Sequence, residues 1–279
     1  MCRLQMRTLF RSVTFYVYLC LLFVFYHYLN APMVRMQQEA GLTVNAIGYT
    51  VSVFSHFESV VVFGIGAVLL FSDLPLIRSN ALLEANRCSR NVWIGGRILY
   101  IVCVSVLYTI FMIAMCMFTC EGNMQNGDAW GKILNTLANG IPVAGTQSSE
   151  LTLPVIQAFT PWQALGLTAV MCVQASMLIG LSIFCLSLLA GRTISLTFAS
   201  LLSCFDFLIY EKLPFWYYRL SPLSFTRITI IVQPNTPDYP TIMDAFTTLI
   251  CANAAIILCT VMIARCNRLF SKRILQESY

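Results

Sequence analysis

Long runs of apolar residues recur along the chain, and short polar segments separate them. Each run has close to the roughly 20 residues that a helix needs to cross the hydrocarbon core of a bilayer. The strands of a membrane barrel would instead alternate between apolar and polar positions over about ten residues. The pattern therefore predicts an all-α polytopic membrane protein, a single domain over residues 1–279, with six transmembrane helices. The predicted spans are residues 13–29, 51–72, 98–120, 164–190, 193–210 and 245–264.

The composition of the chain excludes a soluble protein. Hydrophobic residues make up 58% of the 279 residues and charged residues only 10%, whereas soluble domains carry about 25% charged residues. So few charges cannot cover the surface of a soluble domain of this length. A soluble enzyme, a nucleic-acid-binding domain and a disordered chain are therefore excluded, and the expected surroundings are a lipid bilayer.

The Lys and Arg residues orient the predicted helices. If the N-terminus lies inside, twelve of the 17 basic residues fall on the cytoplasmic side, which agrees with the positive-inside rule. Both termini are therefore predicted to be cytoplasmic. The net charge of +5 follows from this bias, and it does not indicate binding to nucleic acid.

Two outer segments are predicted to be structured. The loop Glu121–Gln163 contains a mildly apolar stretch, Ile133–Val143, which predicts a short surface helix. The segment Glu211–Pro240 is aromatic and apolar, but it is too short to cross, and Arg219 and Arg227 interrupt it. We expect it to form a re-entrant or interfacial hairpin packed against protein, because its backbone groups need hydrogen-bond partners.

The cysteines and histidines do not indicate a metal site. Cys116 and Cys120 are four residues apart and share a helix face, but no CxxC motif and no Cys/His cluster accompanies them. Small apolar side chains that fill packing space are the expected role of these cysteines. We predict no metal ligands and no disulfide framework.

The first cytoplasmic loop has the pattern of a short polar helix. Ser72 or Asp73 can cap a helix start, with Pro75 in its first turn. Residues 80–91 then have helical spacing, and a helix there would lie across the inner ends of two spans, where it could transmit force from a soluble partner. Its charged residues spaced for pairing are Glu84, Arg87 and Arg90. The alternative is a solvated basic loop at the membrane surface, which is common on the inner side.

This loop carries a resemblance to a known family. The run Phe71-Ser72-Asp73-Leu74-Pro75, followed by Arg90-x-x-Trp93-x-x-Gly96-Arg97, is similar to the coupling loop of permease subunits of bacterial type-2 ATP-binding-cassette (ABC) transporters. The layout of six spans, with a re-entrant hairpin before the last, also resembles these permeases. The similarity in layout covers nearly the whole chain, whereas the similarity of motifs is confined to roughly residues 71–100.

The resemblance implies a set of partners. A second permease subunit, identical or different, would pair with this chain in the plasma membrane. ATP-binding ABC subunits, which hold ATP and Mg, would dock beneath the pair and drive alternating access, usually for export. The coupling residues would be Asp73, Pro75, Glu84, Arg87 and Arg90. The chain has no GxxxxGK[ST] phosphate loop, so it is expected not to be an enzyme and to hold no cofactor itself.

Ionisable side chains in the predicted spans are candidates for function. Asp206 is the strongest candidate, and we expect it to pair with His27, Arg219 or Arg227. One hypothesis is a substrate path or outer gate formed by the acidic and imidazole groups at the depth of the outer leaflet. These groups are His27, His56, Glu58, Asp206 and Asp244. The alternative is interfacial side chains that reach water, together with one structural salt bridge.

Three glycines lie within the predicted spans. Gly64 and Gly66 are in the second span and Gly180 is in the fourth. Glycine lets helix backbones approach closely in a membrane. Packing, rather than hinge motion, is the expected role of all three.

Other function classes have less support in the sequence. A rhomboid-like protease would need a GxSxG-type serine and a histidine on a later span, and a metalloprotease would need HExxH; neither motif is present. A carrier driven by an ion gradient would be expected to show inverted repeats and broken helices, which the sequence pattern does not indicate. A passive scaffold or immunity protein remains an alternative.

Overall fold

The structure is a computed structural model that describes residues 13–41, 43–72, 90–120, 124–125, 127, 129–140, 151–233 and 239–265. Its α-helices are α1 (Val13–Ala40), α2 (Ala46–Ser55), α3 (Phe57–Phe71), α4 (Arg90–Thr119), α5 (Gly131–Ala138), α6 (Leu153–Ala158), α7 (Pro161–Ala190), α8 (Arg192–Lys212), α9 (Ile228–Ile231) and α10 (Ile242–Arg265). Two short strands, β1 (Val44–Asn45) and β2 (Met124–Gln125), pair in parallel. The predicted helix over residues 80–91 lies outside the described residues, apart from the start of α4 at Arg90.

Among the described residues, five helices are long and apolar enough to cross a membrane. One pair of helices joined by a bend is also long and apolar enough when the two are taken as one span. The prediction of an all-α polytopic chain is therefore confirmed. The five segments are Phe15–Arg35, Val92–Thr119, Pro161–Ala190, Arg192–Lys212 and Ile242–Ile263. The bent pair is α2 with α3, and it occupies the place of the predicted second span.

Helix α7 is the centre of the bundle. Within its most apolar window 67% of the residues are buried, compared with 17% for α10, and α7 packs against α2, α3, α4, α8 and α10. Its start is fixed by a capping box in which Thr160 and Gln163 bond each other's backbone N–H groups, with Pro161 at the first helical position. It ends at Gly191, whose φ of 91° favours glycine, and α8 begins at the next residue. The predicted boundary between the fourth and fifth spans is confirmed.

The predicted second span, residues 51–72, differs from the structure, because the helix breaks at His56. The axes of α2 and α3 meet at a bend of 78°, and His56 has an extended backbone with φ −68° and ψ 135°. The N–H of Ser59 bonds the carbonyl of His56 at 3.1 Å. The carbonyl of Ser55 accepts instead from the side chain of Arg227 at 2.9 Å. This donor lies 172 positions away in the chain, so the local sequence does not reveal the contact.

The loop predicted to be on the outer side packs over the start of α2. Asn45 caps α2 through its Oδ1 atom, which accepts from the N–H groups of Ile47 and Gly48 at 3.0 and 3.1 Å. Its Nδ2 atom donates to the carbonyls of Gly127 and Ala129 at 2.7 and 2.8 Å. One amide thus joins the first turn of α2 to the loop that follows α4.

The short helix predicted within residues 133–143 is confirmed as α5, although one face of it is buried rather than solvated. Ile133, Leu134 and Leu137 are buried, and the Nε1 atom of Trp130 donates to the carbonyl of Phe159 at 2.7 Å. These contacts hold α5 and α6 together as a cap, which we call the outer cap (α5, α6 and the β1–β2 pair).

The connecting segment, residues 213–233, joins α8 to the turn before α10. It forms two 3₁₀ helices, Phe215–Leu220 and Ser224–Thr226, and then α9. Its first half exposes Phe215 and Trp216, whereas all residues from 223 to 231 are buried. The second 3₁₀ helix packs against α7, and α9 packs against α2 and α7. The chain therefore folds back into the bundle here.

The three glycines lie at close helix contacts, as predicted. A Cβ atom at Gly66 would overlap the hydroxyls of Tyr18 and Tyr108. A Cβ at Gly180 would lie 2.8 Å from a methyl of Ile101, and one at Gly64 would lie 2.9 Å from the Cβ of Ser203. None of these positions has room for a larger residue unless a neighbour moves.

Candidate functional site

Asp206 lies fully buried on α8, almost two turns before the helix ends at Lys212. Its Oδ1 atom accepts a short hydrogen bond from the hydroxyl of Ser224 in the connecting segment. Its Oδ2 atom faces the Nη1 atom of Arg227 at 3.6 Å. Of the three pairings proposed from the sequence, the structure shows the one with Arg227.

Arg227 links three parts of the molecule through one guanidinium group. It is 5% exposed, and besides facing Asp206 it donates from Nε to the carbonyl of Ser55 at the end of α2. Its Cζ atom also lies 5.9 Å from the ring centre of Tyr210 and 6.0 Å from that of Tyr218. Aromatic faces attract a cation at these distances, so the group is held by a carboxylate, a carbonyl and two rings.

Serine hydroxyls surround this ion pair, which we call the Asp206–Arg227 site (Asp206, Ser224, Arg227 and the Ser55 carbonyl). The hydroxyl of Ser221 accepts from the N–H of Ser224 at 3.4 Å and so supports the turn that carries Ser224. Ser203, one turn before Asp206, donates to the carbonyl of Ala199 at 2.9 Å. Its Cβ lies against Gly64 of α3, which brings α3 and α8 close together beside the site.

Two of these contacts are favourable for a general electrostatic reason. The last carbonyls of a helix carry partial negative charge, and a cation near them is stabilising. Arg227 supplies that cation to α2 and at the same time compensates the buried carboxylate of Asp206. A buried ion pair repays the cost of desolvation only when its remaining hydrogen-bonding groups are also satisfied, and Ser224 and Ser55 provide such partners. Burial raises the pKa of the Tyr218 phenol, although the charge of Arg227 opposes the rise.

The other sequence candidates lie in different surroundings in the described part of the chain. His27 lies on an exposed face of α1 and stacks on Phe23, with 6.2 Å between ring centres. Glu58 lies partly exposed in the first turn of α3, where a carboxylate complements the helix dipole. Arg219 donates to the carbonyl of Tyr239 at 3.4 Å.

Asp244 has a structural role at the start of α10. Its Oδ2 atom accepts from the N–H of Thr241 at 3.1 Å, and the hydroxyl of Thr241 accepts from the N–H of Asp244 at 3.2 Å. These reciprocal bonds satisfy the first amide groups of the helix, in the manner of a capping box. The alternative of an interfacial, structural carboxylate therefore fits Asp244 better than a place in a substrate path.

Sequence reasoning did not identify Ser55 or Ser224 as parts of the site. Ser224 could have been suspected, because Ser221 and Ser224 are small polar residues that precede Arg227 by six and three positions in a mostly apolar segment. Ser55 contributes only its backbone carbonyl, so its residue type carries no signal.

Hydroxyl groups of α1 and α4 also meet inside the helix bundle. The hydroxyls of Tyr18 and Tyr108 are 2.7 Å apart, and that of Tyr108 donates to the carbonyl of Phe63 at 2.8 Å. They border an apolar cavity of about 150 Å³ between α1, α3 and α4. Within the part of the chain that the structure describes, no group of three His, Cys, Asp or Glu side chains is placed to hold a metal ion.

Comparisons of the chain with protein-family models, with curated proteins and with solved structures found no match.

Proposed function

We propose that this chain is the membrane-spanning permease subunit of an ABC transporter of the type-2 class, and that it exports a solute. A separate ATPase subunit, which binds ATP and Mg, drives it, and a second permease subunit completes the pathway. The observation that carries the proposal is the return of the connecting segment into the bundle between α8 and α10, with residues 223–231 buried. This arrangement agrees with the re-entrant hairpin that the resemblance implies before the last span.

The Asp206–Arg227 site supports a transport role. Ionisable groups buried among membrane helices are costly and generally mark a pathway or a gate. The site connects α8, the connecting segment and the end of α2, which are elements that would have to shift relative to one another in alternating access. We therefore propose that it forms the inner wall of the outer gate.

The proposal assigns ATPase contact to the first cytoplasmic loop. The residues concerned are Asp73, Pro75, Glu84, Arg87 and Arg90, of which the first four lie outside the described part of the chain. Their assignment depends on the sequence resemblance alone. The plasma membrane of a bacterium follows from the same resemblance.

A pull-down tests the proposal directly. The tagged chain is purified from mild detergent, and the bound chains are identified by mass and assayed for ATP hydrolysis. We expect an ATPase subunit to co-purify, and to be lost when residues 80–91 are replaced by a Gly/Ser linker. The matched control places the same kind of linker at residues 141–150 of the outer loop, which should leave the ATPase bound. A chain that purifies without an ATPase even after gentle cross-linking would contradict the proposal.

A second candidate is an ion-coupled carrier, and the break at His56 favours it. Discontinuous helices whose ends meet charged groups are a common feature of such carriers, and α2 ends at the guanidinium of Arg227. Reconstitution in vesicles separates the two candidates. Uptake that follows an imposed proton or sodium gradient without ATP would favour the carrier, whereas uptake that needs the ATPase and ATP would favour the permease.

A further inference from the structure

The helix break at His56 is not marked by proline or glycine in the local sequence. Residues 51–60 read VSVFSHFESV and contain neither proline nor glycine, the residues that usually account for a sharp kink. The same stretch could form a continuous helix, in which the carbonyl of Ser55 would accept from the N–H of Ser59, four residues later. A continuous helix is therefore a second conformation open to this backbone.

Arg227 donates to the carbonyl that a continuous helix would use. Its Nε atom donates to the Ser55 carbonyl at 2.9 Å, and the N–H of Ser59 bonds the carbonyl of His56 instead. In the bent form the Ser55 carbonyl has lost the helical bond from Ser59, and Arg227 supplies a replacement donor. The bent form exchanges a local helical bond for a charge-assisted bond from a distant residue, and charge-assisted bonds are the stronger kind.

The other end of α2 is held separately. Asn45 caps its first turn and bonds the carbonyls of Gly127 and Ala129 in the outer cap. The side chains of Trp130 and Leu134 lie against Gly48. Side-chain contacts thus clamp α2 at both ends, and its backbone is continuous with α3 only through His56.

We propose that His56 is a reversible hinge and that Arg227 is the positioning residue that holds it bent. When Arg227 leaves the Ser55 carbonyl, α2 and α3 join into one helix, and α2 swings away from the outer cap. The inference goes beyond the proposed function, because it concerns the conformations of the chain and is tested without a transported solute.

The two forms differ in a measurable distance. Arms of 10 and 15 residues at 1.5 Å per residue span about 37 Å when collinear and about 30 Å when bent by 78°. Straightening should therefore lengthen the distance between the far ends by about 8 Å. Thr43 and Leu69 are exposed near these ends, and nitroxide amino acids can be incorporated there without using the 12 native cysteines.

The experiment measures the distance between these two nitroxides by double electron–electron resonance, in the full chain in lipid nanodiscs. It compares variants that each differ from the next by one substitution. Asp206→Asn removes the carboxylate but keeps the bond from Arg227 to Ser55, so the wild-type distance should remain. Adding Arg227→Gln to Asp206→Asn removes that bond without leaving a buried carboxylate unpaired. In this double variant we expect a second population whose label-to-label distance is about 8 Å longer. Arg219→Gln removes an exposed arginine of the same segment and should leave the distance unchanged.

A proline at position 57 provides a rescue. Proline fits the first position of a helix and favours an extended residue before it, as His56 already is, but it cannot continue a helix from α2. Phe57→Pro added to Asp206→Asn/Arg227→Gln should restore the short distance. Phe57→Ala, which also removes the ring that stacks on Tyr210, should not restore it.

Each possible result supports or contradicts the hinge at His56. A wild-type distance in Asp206→Asn/Arg227→Gln would show that the bend does not need Arg227. A long distance that persists with Phe57→Pro would show that the change arises elsewhere than at His56. If the double variant loses its fold, recovery by Phe57→Pro supports the hinge, and failure to recover overturns it.

Discussion

The Nε atom of Arg227 donates to the backbone carbonyl of Ser55 at 2.9 Å, and the two residues are 172 positions apart in the chain. The same guanidinium faces the carboxylate of Asp206 at 3.6 Å. One buried cation therefore stabilises a helix end and a carboxylate on different elements. The energetic consequences of removing it should depend strongly on whether Asp206 is also removed.

The stability of the pair is the first prediction. Arg227→Met alone should destabilise the chain by about 3–5 kcal/mol, because it leaves the buried carboxylate of Asp206 uncompensated. Asp206→Leu combined with Arg227→Met should cost much less than the sum of the single changes, since no charge then remains buried. The measurement is a double-mutant cycle on unfolding in mixed detergent and dodecyl sulfate. Additive single and double values would mean that the two side chains do not interact.

Transport should depend on Asp206 but not on Asp244. Asp206→Asn should leave membrane insertion intact and reduce transport about tenfold, which corresponds to roughly 1.4 kcal/mol of lost interaction at the gate. Asp244→Asn is the matched control, because the described bonds of the Asp244 carboxylate cap the start of α10. The measurement is the initial rate of solute movement in vesicles. Equal rates for wild type and Asp206→Asn would remove Asp206 from the transport pathway.

Gly66 should not tolerate a side chain. A Cβ atom there would overlap the Tyr18 hydroxyl, so Gly66→Ala should cost about 1–3 kcal/mol by overpacking. Gly95→Ala in α4, where no atom lies within 4 Å of the added carbon, should be neutral or slightly stabilising. Thermal unfolding of both variants in detergent tests the contrast. Tyr18→Phe should recover part of the loss at Gly66, and no recovery would assign the loss to another contact.

The last spanning helix should depend on one polar contact. Asn253 of α10 donates to the side chain and the carbonyl of Gln174 in α7, at 3.1 and 3.2 Å. Hydrogen bonds between membrane helices are worth about 0.6–2 kcal/mol, and α10 is the least buried of the spanning helices. Asn253→Leu should therefore lower the midpoint of thermal unfolding. It should also increase the rate of proteolysis, because α10 would be held less firmly against α7. Ala254→Leu, at an exposed position, should leave both unchanged, and equal effects of the two would point to a loss unrelated to the bond.

The turn between α7 and α8 should require glycine. Gly191 has φ 91° and ψ 171°, a region that costs other residues about 1–3 kcal/mol. Gly191→Ala should therefore reduce the free energy of unfolding by an amount in this range. Gly166→Ala, in the interior of α7 with open space around it, should raise it by about 0.5–1 kcal/mol. A loss at Gly166 as large as that at Gly191 would contradict the conformational explanation.

The long spans could be predicted from the sequence because continuous apolar character over 20 residues has few other structural outcomes in a membrane. The boundary between the fourth and fifth spans, the close approach at Gly66 and the place of Asp206 within a span followed from the same local information. The choice of Arg227 as the partner of Asp206 did not, because His27 and Arg219 were equally available by predicted depth. It depends on the path of the connecting segment.

The break at His56 could not be predicted for a related reason. A tertiary hydrogen bond from Arg227 accompanies it, and residues 51–60 contain neither proline nor glycine to mark a kink. The extension of α1 to Ala40 was also missed, since the apolar run ends near residue 29 and Pro32 follows it. A proline inside a helix is tolerated where neighbouring groups compensate the lost backbone bond.

The single-residue connection at Gly191 bears on how the chain is made. Only Gly191 separates the end of α7 from the start of α8. The two helices are therefore joined by a very short connection. We therefore expect them to pair as a hairpin as soon as α8 has been synthesised. The most buried of the five candidate spans would thus already be paired with the helix that carries Asp206 when the later segment brings Arg227 to its carboxylate.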